Sequence, residues 1–597
     1  MKKITAVLLC FLLLGLGGCA QPVPAEPTPL TVIGTTAPPE TTTAAPIQTT
    51  TQDTAARTTV PYSTAATSRT SLVSATTQTA AATRSVRSAD VEARFSVMTT
   101  EEKVGQLFCV SLSESESLTE ADREMLQDCH FGNIILYSAN IRSCSQLAAL
   151  NASLLDTISA DTGICPFIAV DQEGGTVMRI VDACTAPPAM AVGSAGDPSL
   201  ARQLGEMMGA QLRTLGINVN LAPVADINSN PDNPVIGSRS FSEDPEIAAV
   251  FVSAYTEGLQ SAGVLACLKH FPGHGNTALD SHTALPSVSY SRQRLDSAEL
   301  VPFRAGIAAG AAMTLVGHIL YPALGADTVP ASLSRSVIEG VLREELGFGG
   351  LVVTDSLSMG AITNTWGEGE ACIMAVNAGT DVLLINDSEE NLREAYKAVL
   401  LAVEDGRIAQ SRLDEAVRRI LNAKNEYGIL DGNRPSAALP DTEAYSVLLD
   451  VIARQSLSVT DGAPGSSFDP SSTLVVFTKP ARPALNRETQ SFGAYMARTY
   501  GCDATQVDRR PSDRQITELR EIAGRYDSVI LAVSGRDCMS LTASLAAVSS
   551  RLAVVVLDSS YAAYVYGKLG ADGVLCAWEY TDHSVRAAAA RLMNPYS

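Results

Sequence analysis

Positive charge is scarce in this chain. Its 43 Lys and Arg stand against 64 Asp and Glu, a formal net charge of −21 over 597 residues. Nucleic acids and anionic lipid surfaces are recognised by clustered cations, so neither is an expected partner. Charged residues of both signs make up only 18%, while hydrophobic residues reach 46%, which excludes wholesale disorder and leaves ample apolar surface for a core. The 12 cysteines show neither CxxC spacing nor a dense cluster, so no metal ribbon or disulfide-stapled mini-domain is encoded. Cys109, Cys165, Cys267 and Cys576 lie in or beside apolar runs and read as buried thiols. Histidine is rarer still, with 6 in the whole chain. At about 150 residues per domain, the length calls for more than one folded unit.

The N-terminus, MKKITAVLLCFLLLGLGGCA, places Lys2 and Lys3 before an apolar run from Ile4 to Leu16. That run is shorter than the about 20 residues a spanning helix takes, and it reads as an export signal. Its ending, Leu16-Gly17-Gly18-Cys19, resembles a bacterial lipobox, which makes Cys19 the expected site of lipid attachment and the mature N-terminus. Residues 20–90 are dominated by Thr, Ala, Ser and Pro, with almost no large apolar side chain to offset the entropy of ordering. A disordered tether is expected there, letting a folded domain sample a layer such as a cell wall above the membrane. The expected location is extracytoplasmic, with the lipid as the only membrane contact.

From Val91 to about residue 432, short β-branched runs alternate with longer segments of helical character, the pattern of repeated βα units. Eight runs are expected as strands: 105–112, 132–138, 166–175, 217–227, 263–271, 311–319, 350–357 and 381–387. Eight units predict an α/β fold of the (β/α)8, TIM-like kind. Polar residues close most of these runs: Asp171, Asp226, Lys269 with His270, His318, Asp355, and Asn386 with Asp387. One aspartate after a strand is commonly a helix cap. Six strands ending this way place a site at the barrel's C-terminal face, where strand ends converge. After a Gly- and Pro-rich boundary near residues 428–442, strands expected at 472–478, 528–534, 551–559 and 573–580 predict a smaller αβα sandwich over 440–597.

Half of the histidines fall within KHFPGHGNTALDSHTALPSV, Lys269 to Val288. A metal site, an acid/base site and a polar loop without chemistry compete for this stretch. His270 and His274 are four apart, as in helical zinc motifs, but Pro272 and Gly273 disfavour a helix and no glutamate follows the first histidine. No metal ligation is therefore expected. In Asp280-Ser281-His282 an extended backbone turns residues i and i+2 to one side, so the carboxylate can orient the imidazole and favour its charged form. A dyad of this kind can act as general acid/base. Asp355, at the end of GLVVTD, is the candidate carboxylate to attack an electrophilic carbon or steady its positive charge.

The stretches KHFPGHGNTALDSHTALP, VDQEGGTVMRI, APVADINSNPDNPVIGSRSFSEDP and VVTDSLSMGAI together resemble the glycoside hydrolase family 3 barrel, in its bacterial β-N-acetylglucosaminidase branch. MTTEEKVGQLF and HILYPALGADTVPASLS agree with it as well. The resemblance implies that Asp355 is the nucleophile and that His282, assisted by Asp280, is the acid/base. It implies that Asp171, Arg179, Arg239, Lys269, His270 and His318 bind or border the sugar. It implies a retaining exo-enzyme that takes terminal GlcNAc from peptidoglycan fragments, a carbohydrate partner, and no cofactor. Two positions depart from the family pattern: Asn276 where aspartate is more usual, and Thr176 where arginine is. The Thr176 departure touches aglycone preference. Two other readings stand beside this one. A family 3 β-glucosidase or β-xylosidase is disfavoured by the Asp280/His282 pair, and a non-catalytic wall-binding lipoprotein would bind muropeptides without releasing sugar.

Overall fold

The computed structural model describes residues 32–33, 90–277, 285–462, 468–479, 491–557 and 560–594. The expected export signal, Cys19 and nearly all of the tether lie outside the described residues.

Eight strands run parallel around a barrel: β1 (Phe108–Ser111), β2 (Asn133–Leu136), β3 (Phe167–Val170), β4 (Val219–Asn220), β5 (Leu265–Phe271), β6 (Met313–Val316), β7 (Leu351–Thr354) and β8 (Leu383–Ile385). Neighbours pair in sequence order and β8 pairs with β1. The two ends meet through a parallel bridge between Val353 and Val382. Every barrel strand is buried along its whole length, as the unbroken apolar runs require of a sheet covered on its outer face by helices. Proline helps set where those helices begin. Asp197 and Asp244 cap two of them with their side chains, and Pro198 and Pro245 occupy the first turn, where no amide hydrogen is needed.

All eight strands are shorter than the runs expected, and for two of them the reason is identifiable. In 105–112, residues 105–107 complete the helix Thr100–Leu107, because Thr99 and Glu102 form a reciprocal capping box that commits the segment to helix. In 217–227 the ladder stops at Asn220, and Pro223 has no amide hydrogen to extend it.

The barrel floor is polar underneath. Lys424, on the helix Gln410–Glu426, is fully buried and donates to Gln106 Oε1 at 2.9 Å and the Gly132 carbonyl at 3.1 Å. Nearby Asp381, also 0% exposed, pairs with Arg343, Arg412 and Arg419 at 2.6, 2.8 and 3.1 Å.

The second domain is the expected αβα sandwich with extra strands. Its sheet contains β9 (Ser458–Gly462), β10 (Thr473–Thr478), β11 (Asp503–Val507), β12 (Ser528–Val533), β13 (Leu552–Val556) and β14 (Gly573–Cys576) in the order β11-β10-β12-β13-β14-β9. β9 is antiparallel, and so is a two-residue edge strand, Val32–Ile33, on β11. These two residues are the only described part of the expected tether before Asp90. They pair with the backbone of a strand that is otherwise at the sheet's edge. Separate apolar clusters cover the two faces of the sheet. The helix Thr442–Ser456 joins the domains, with Tyr445, Leu448, Leu449 and Ile452 packed into the barrel's core. All ten cysteines from Cys109 to Cys576 are free, and nine of them are buried.

Burial lowers the pKa of Lys424 to about 7. A base whose folded pKa lies below its unfolded value of about 10.4 binds fewer protons folded than unfolded between those values, so stability rises with pH across that window. Urea unfolding of wild type and Lys424→Met at pH 7 and pH 9 should show the wild type gaining on the variant, by at most about 1.4 kcal/mol per pH unit. Parallel curves would contradict the lowered pKa of Lys424.

Candidate active site

The C-terminal strand ends open into a cavity of about 480 Å³. Its floor is apolar, with Ile135, Leu221, Leu315 and Leu384 closing off the packed barrel interior, and its rim is charged. Asp171, Glu173, Asp355, Arg179, Arg239 and Lys269 all line it, with His270 and His274 also in the wall.

Lys269 is the centre of the charged side. Its Nζ lies 2.8 Å from Asp171 Oδ1 and 2.6 Å from Glu173 Oε1, and its side chain is 3% exposed. Arg239 grips Glu173 with two parallel hydrogen bonds of 2.8 Å, Nε to Oε2 and Nη2 to Oε1. Arg179 Nη2 donates to Asp171 Oδ2 at 3.0 Å. Its Nε is buried and has no hydrogen-bond partner among the described residues. Burial raises the pKa of Asp171 and of Glu173, but the neighbouring cations outweigh it and hold both carboxylates well below their ordinary range. The same carboxylates overcome the burial penalty on Lys269 and Arg239 and keep both charged.

His270 is oriented from behind. Asp226, fully buried at the end of the β4 segment, accepts from His270 Nδ1 at 2.7 Å and from the His270 and His274 amides at 3.1 and 2.6 Å. A carboxylate only accepts, so Nδ1 carries a proton and Nε2 turns toward Arg239 Nη2, 3.4 Å away. His270 ends a strand and His274 lies in the turn after it, so the two do not share a helix face.

Asp355 follows β7 directly. Its amide donates to the Val316 carbonyl at 3.0 Å, and its Oδ1 accepts from the Ser356 amide at 2.9 Å. Burial pushes its pKa up, yet His318, His270, the Ser356 amide and Lys269 more than reverse this, so the carboxyl is ionised at neutral pH. His318 does not line the cavity. It is 0% exposed, with Nε2 donating to the Ser356 carbonyl at 2.8 Å and Nδ1 2.7 Å from Ser332 Oγ. Both ring nitrogens are engaged by the protein, and the Nε2 bond holds the backbone beside Asp355.

Asp171, Arg179, Arg239, Lys269, His270 and Asp355 thus come together in one cavity. Asp280 and His282 lie outside the described residues. Glu173, absent from the expected set, is the most connected carboxylate of the site. The DQEGG stretch displayed it, but its bond to Arg239, 66 residues away, left no local signal. Tyr137, Val235, Ser356, Ser358, Met359 and Asn386 complete the wall. Thr176, one of the two departures, is exposed at the tip of a turn, and its neighbour Val177 lines the cavity instead.

A carboxylate held ionised at the mouth of a (β/α)8 barrel, facing donors that suit hydroxyl groups, is the arrangement of a glycoside hydrolase. The sequence model of the glycosyl hydrolase family 3 N-terminal domain matches residues 99–423, and the chain belongs to that family. It is 37% identical over 327 residues to β-hexosaminidase A of Pseudoalteromonas piscicida, covering 51% of this chain and 54% of that protein. Over 275 residues it is 36% identical to a β-hexosaminidase of Stenotrophomonas maltophilia, covering 45% of this chain and 80% of that one. The chain thus spans about half the length of the first relative and most of the second. The solved structure of a family 3 β-N-acetylglucosaminidase from Paenibacillus sp. strain FPU-7 superposes with a TM-score of 0.77 at 33% identity, covering 84% of this chain and 98% of that one.

Removing Glu173 leaves Arg239 and Lys269 buried with less counter-charge. Glu173→Ala should lower stability by about 3–5 kcal/mol in urea unfolding at pH 7. The folded pKa of Glu173 is lowered to about 2. Its contribution is therefore full above the ordinary glutamate value of about 4.3 and is lost as pH falls from there toward 2. A variant as stable as wild type at pH 7 would contradict the paired-charge description.

Proposed function

We propose that the protein is a retaining exo-β-N-acetylglucosaminidase that removes terminal GlcNAc from peptidoglycan fragments. The observation that carries this reading is an ionised Asp355 lining the same cavity as the Lys269–Asp171–Arg179 cluster, over an apolar base of Ile135, Leu221, Leu315 and Leu384. The wall carries three carboxylates, Asp171, Glu173 and Asp355, against three cations, Arg179, Arg239 and Lys269, which sum to zero formal charge. A balanced wall suits an uncharged ligand. A dead-end cavity accepts a chain terminus rather than a chain interior, which supports exo action. The β-hexosaminidase names of the relatives support GlcNAc as the sugar.

In the first step Asp355 attacks the anomeric carbon as the bond to the leaving oxygen breaks, and His282, oriented by Asp280, gives that oxygen its proton. The product is a glycosyl ester on Asp355. In the second step neutral His282 takes a proton from water as the water oxygen attacks the same carbon, which frees the carboxylate and retains the configuration. Asp171, Arg179, Lys269, Arg239 and His270 hold the ring hydroxyls and the N-acetyl group. The assignment of Asp280 and His282 rests on their place in the sequence motif. Export with lipid on Cys19 and a tether reaching the wall belong to the same proposal, supported by the lipobox-like ending and the Thr- and Pro-rich segment.

Asp355→Ala should abolish nitrophenol release from an aryl GlcNAc substrate. His282→Ala should slow unactivated leaving groups far more than nitrophenol, because only a poor leaving group needs its proton supplied. Purified muropeptides should yield free GlcNAc, and chelators should leave the rate unchanged. Undiminished turnover in the Asp355 variant refutes the assignment, and muropeptide binding without sugar release supports the non-catalytic alternative.

A further inference from the structure

The loops that carry the sugar-facing cations are seated on the second domain. Asn228, 0% exposed and two residues after Asp226, donates from Nδ2 to the Tyr561 hydroxyl at 2.8 Å. Its Oδ1 accepts from the Gly237 amide at 3.0 Å. Gly237, at φ +49°, begins the tight turn Gly237–Arg239, which ends in the arginine that grips Glu173. Five residues from Asn228, Asn233 folds the remainder of the loop. Its Oδ1 accepts from the Val235 and Ile236 amides at 2.8 and 2.7 Å, and its Nδ2 donates to the His274 and Thr277 carbonyls at 2.9 and 3.1 Å. The loop after β5 lies flat against this scaffold, since a Cβ on Gly275 would stand 1.6 Å from the Ile227 carbonyl oxygen.

A second seam lies alongside. Met190 and Ala191, on the short helix Ala189–Ser194 after β3, are buried in the second domain's core with Leu541, Ala562 and Tyr566 rather than in the barrel's. That helix presses on the Arg239 loop in turn, for a Cβ on Gly193 would stand 2.0 Å from the Phe241 carbonyl oxygen. Arg536 closes the seam, donating to the Tyr561 carbonyl at 3.2 Å and lying 3.9 Å from Asp232.

We propose that Tyr561, and through it the second domain, is a positioning element of the glycosidase site: its hydroxyl fixes Asn228, and Asn228 fixes the turn that presents Arg239. Tyr561 touches no reacting group. It acts through Arg239. The catalytic consequence rests on the glycosidase reading above, whereas the mechanical link does not.

The test is Tyr561→Phe in the full chain, which removes one hydroxyl and keeps the ring. Amide hydrogen exchange should quicken over residues 228–239 and stay unchanged in the barrel strands and in β10–β14. The specificity constant for an aryl GlcNAc should fall roughly tenfold, with Tm moved by less than about 2 °C, as loss of alignment rather than of fold predicts. In an Arg239→Ala background the same change should cost nothing further, since both act through one contact. Arg536→Ala should act in the same direction, and Tyr564→Phe, 64% exposed on the same helix, should do nothing. Unaltered exchange over 228–239, or a loss that persists in full without Arg239, overturns the proposal. A wild-type protein that releases no sugar sinks the glycosidase reading, and the exchange measurement then decides the link by itself.

Discussion

Lys269 stands where the barrel can least accommodate a charge, 3% exposed at the inner end of a strand. It is tolerated because Asp171 and Glu173 both lie within 2.8 Å of its ammonium. An isolated ammonium moved from water into a protein interior costs several kcal/mol even after relaxation, and only close, well-aligned partners repay it. The remaining geometry follows from this constraint. Glu173 must be held in place, and Arg239 does so with a two-pronged grip; Asp171 must be held, and Arg179 does so. The product is a row of rigid donors whose charges are already balanced, so a neutral sugar can bind without leaving any of them unpaired. Rigid polarity of this kind stabilises developing charge without reorganising at the moment of reaction.

The network also explains the division of labour around Asp355. Cations beside it keep the carboxylate ionised, and His318, fully buried, secures the backbone next to it instead of meeting ligand. Asp226 does the corresponding work for His270. Two residues that look equivalent at the ends of adjacent strands thus serve different layers, one in the wall and one behind it.

Much of this was legible in the sequence. The eight apolar runs gave the barrel, because a buried parallel strand cannot alternate and the helices between the runs can. The grouping of Asp171, Lys269, His270 and Asp355 in one cavity was legible because each closes or directly follows its apolar run. Glu173 was not, since its partner Arg239 lies on another loop and only folding brings the two together. The burial of His318 behind Asp355 was not legible, because sequence shows that a strand ends but not whether the side chain that follows it points into the cavity. Helix 100–107 and strand β1 share one apolar run, and periodicity could not divide them; the Thr99–Glu102 box does. Strand β11, DATQV, carried too few apolar residues to register, and the pairing of Val32–Ile33 depends on an edge that exists only after the second domain has formed. The seam between domains was wholly silent, because an asparagine and the tyrosine hydroxyl it bonds 333 residues away leave no periodic trace.

The central claim is that Asp355 becomes covalently bonded to the sugar. Incubating the protein with a fluorinated GlcNAc glycoside, whose ester intermediate hydrolyses slowly, and mapping its peptides by mass spectrometry tests this directly. The account predicts one sugar's added mass on the peptide containing Asp355 and on no other. An adduct on a different residue, or product of inverted configuration with no adduct at all, would contradict it.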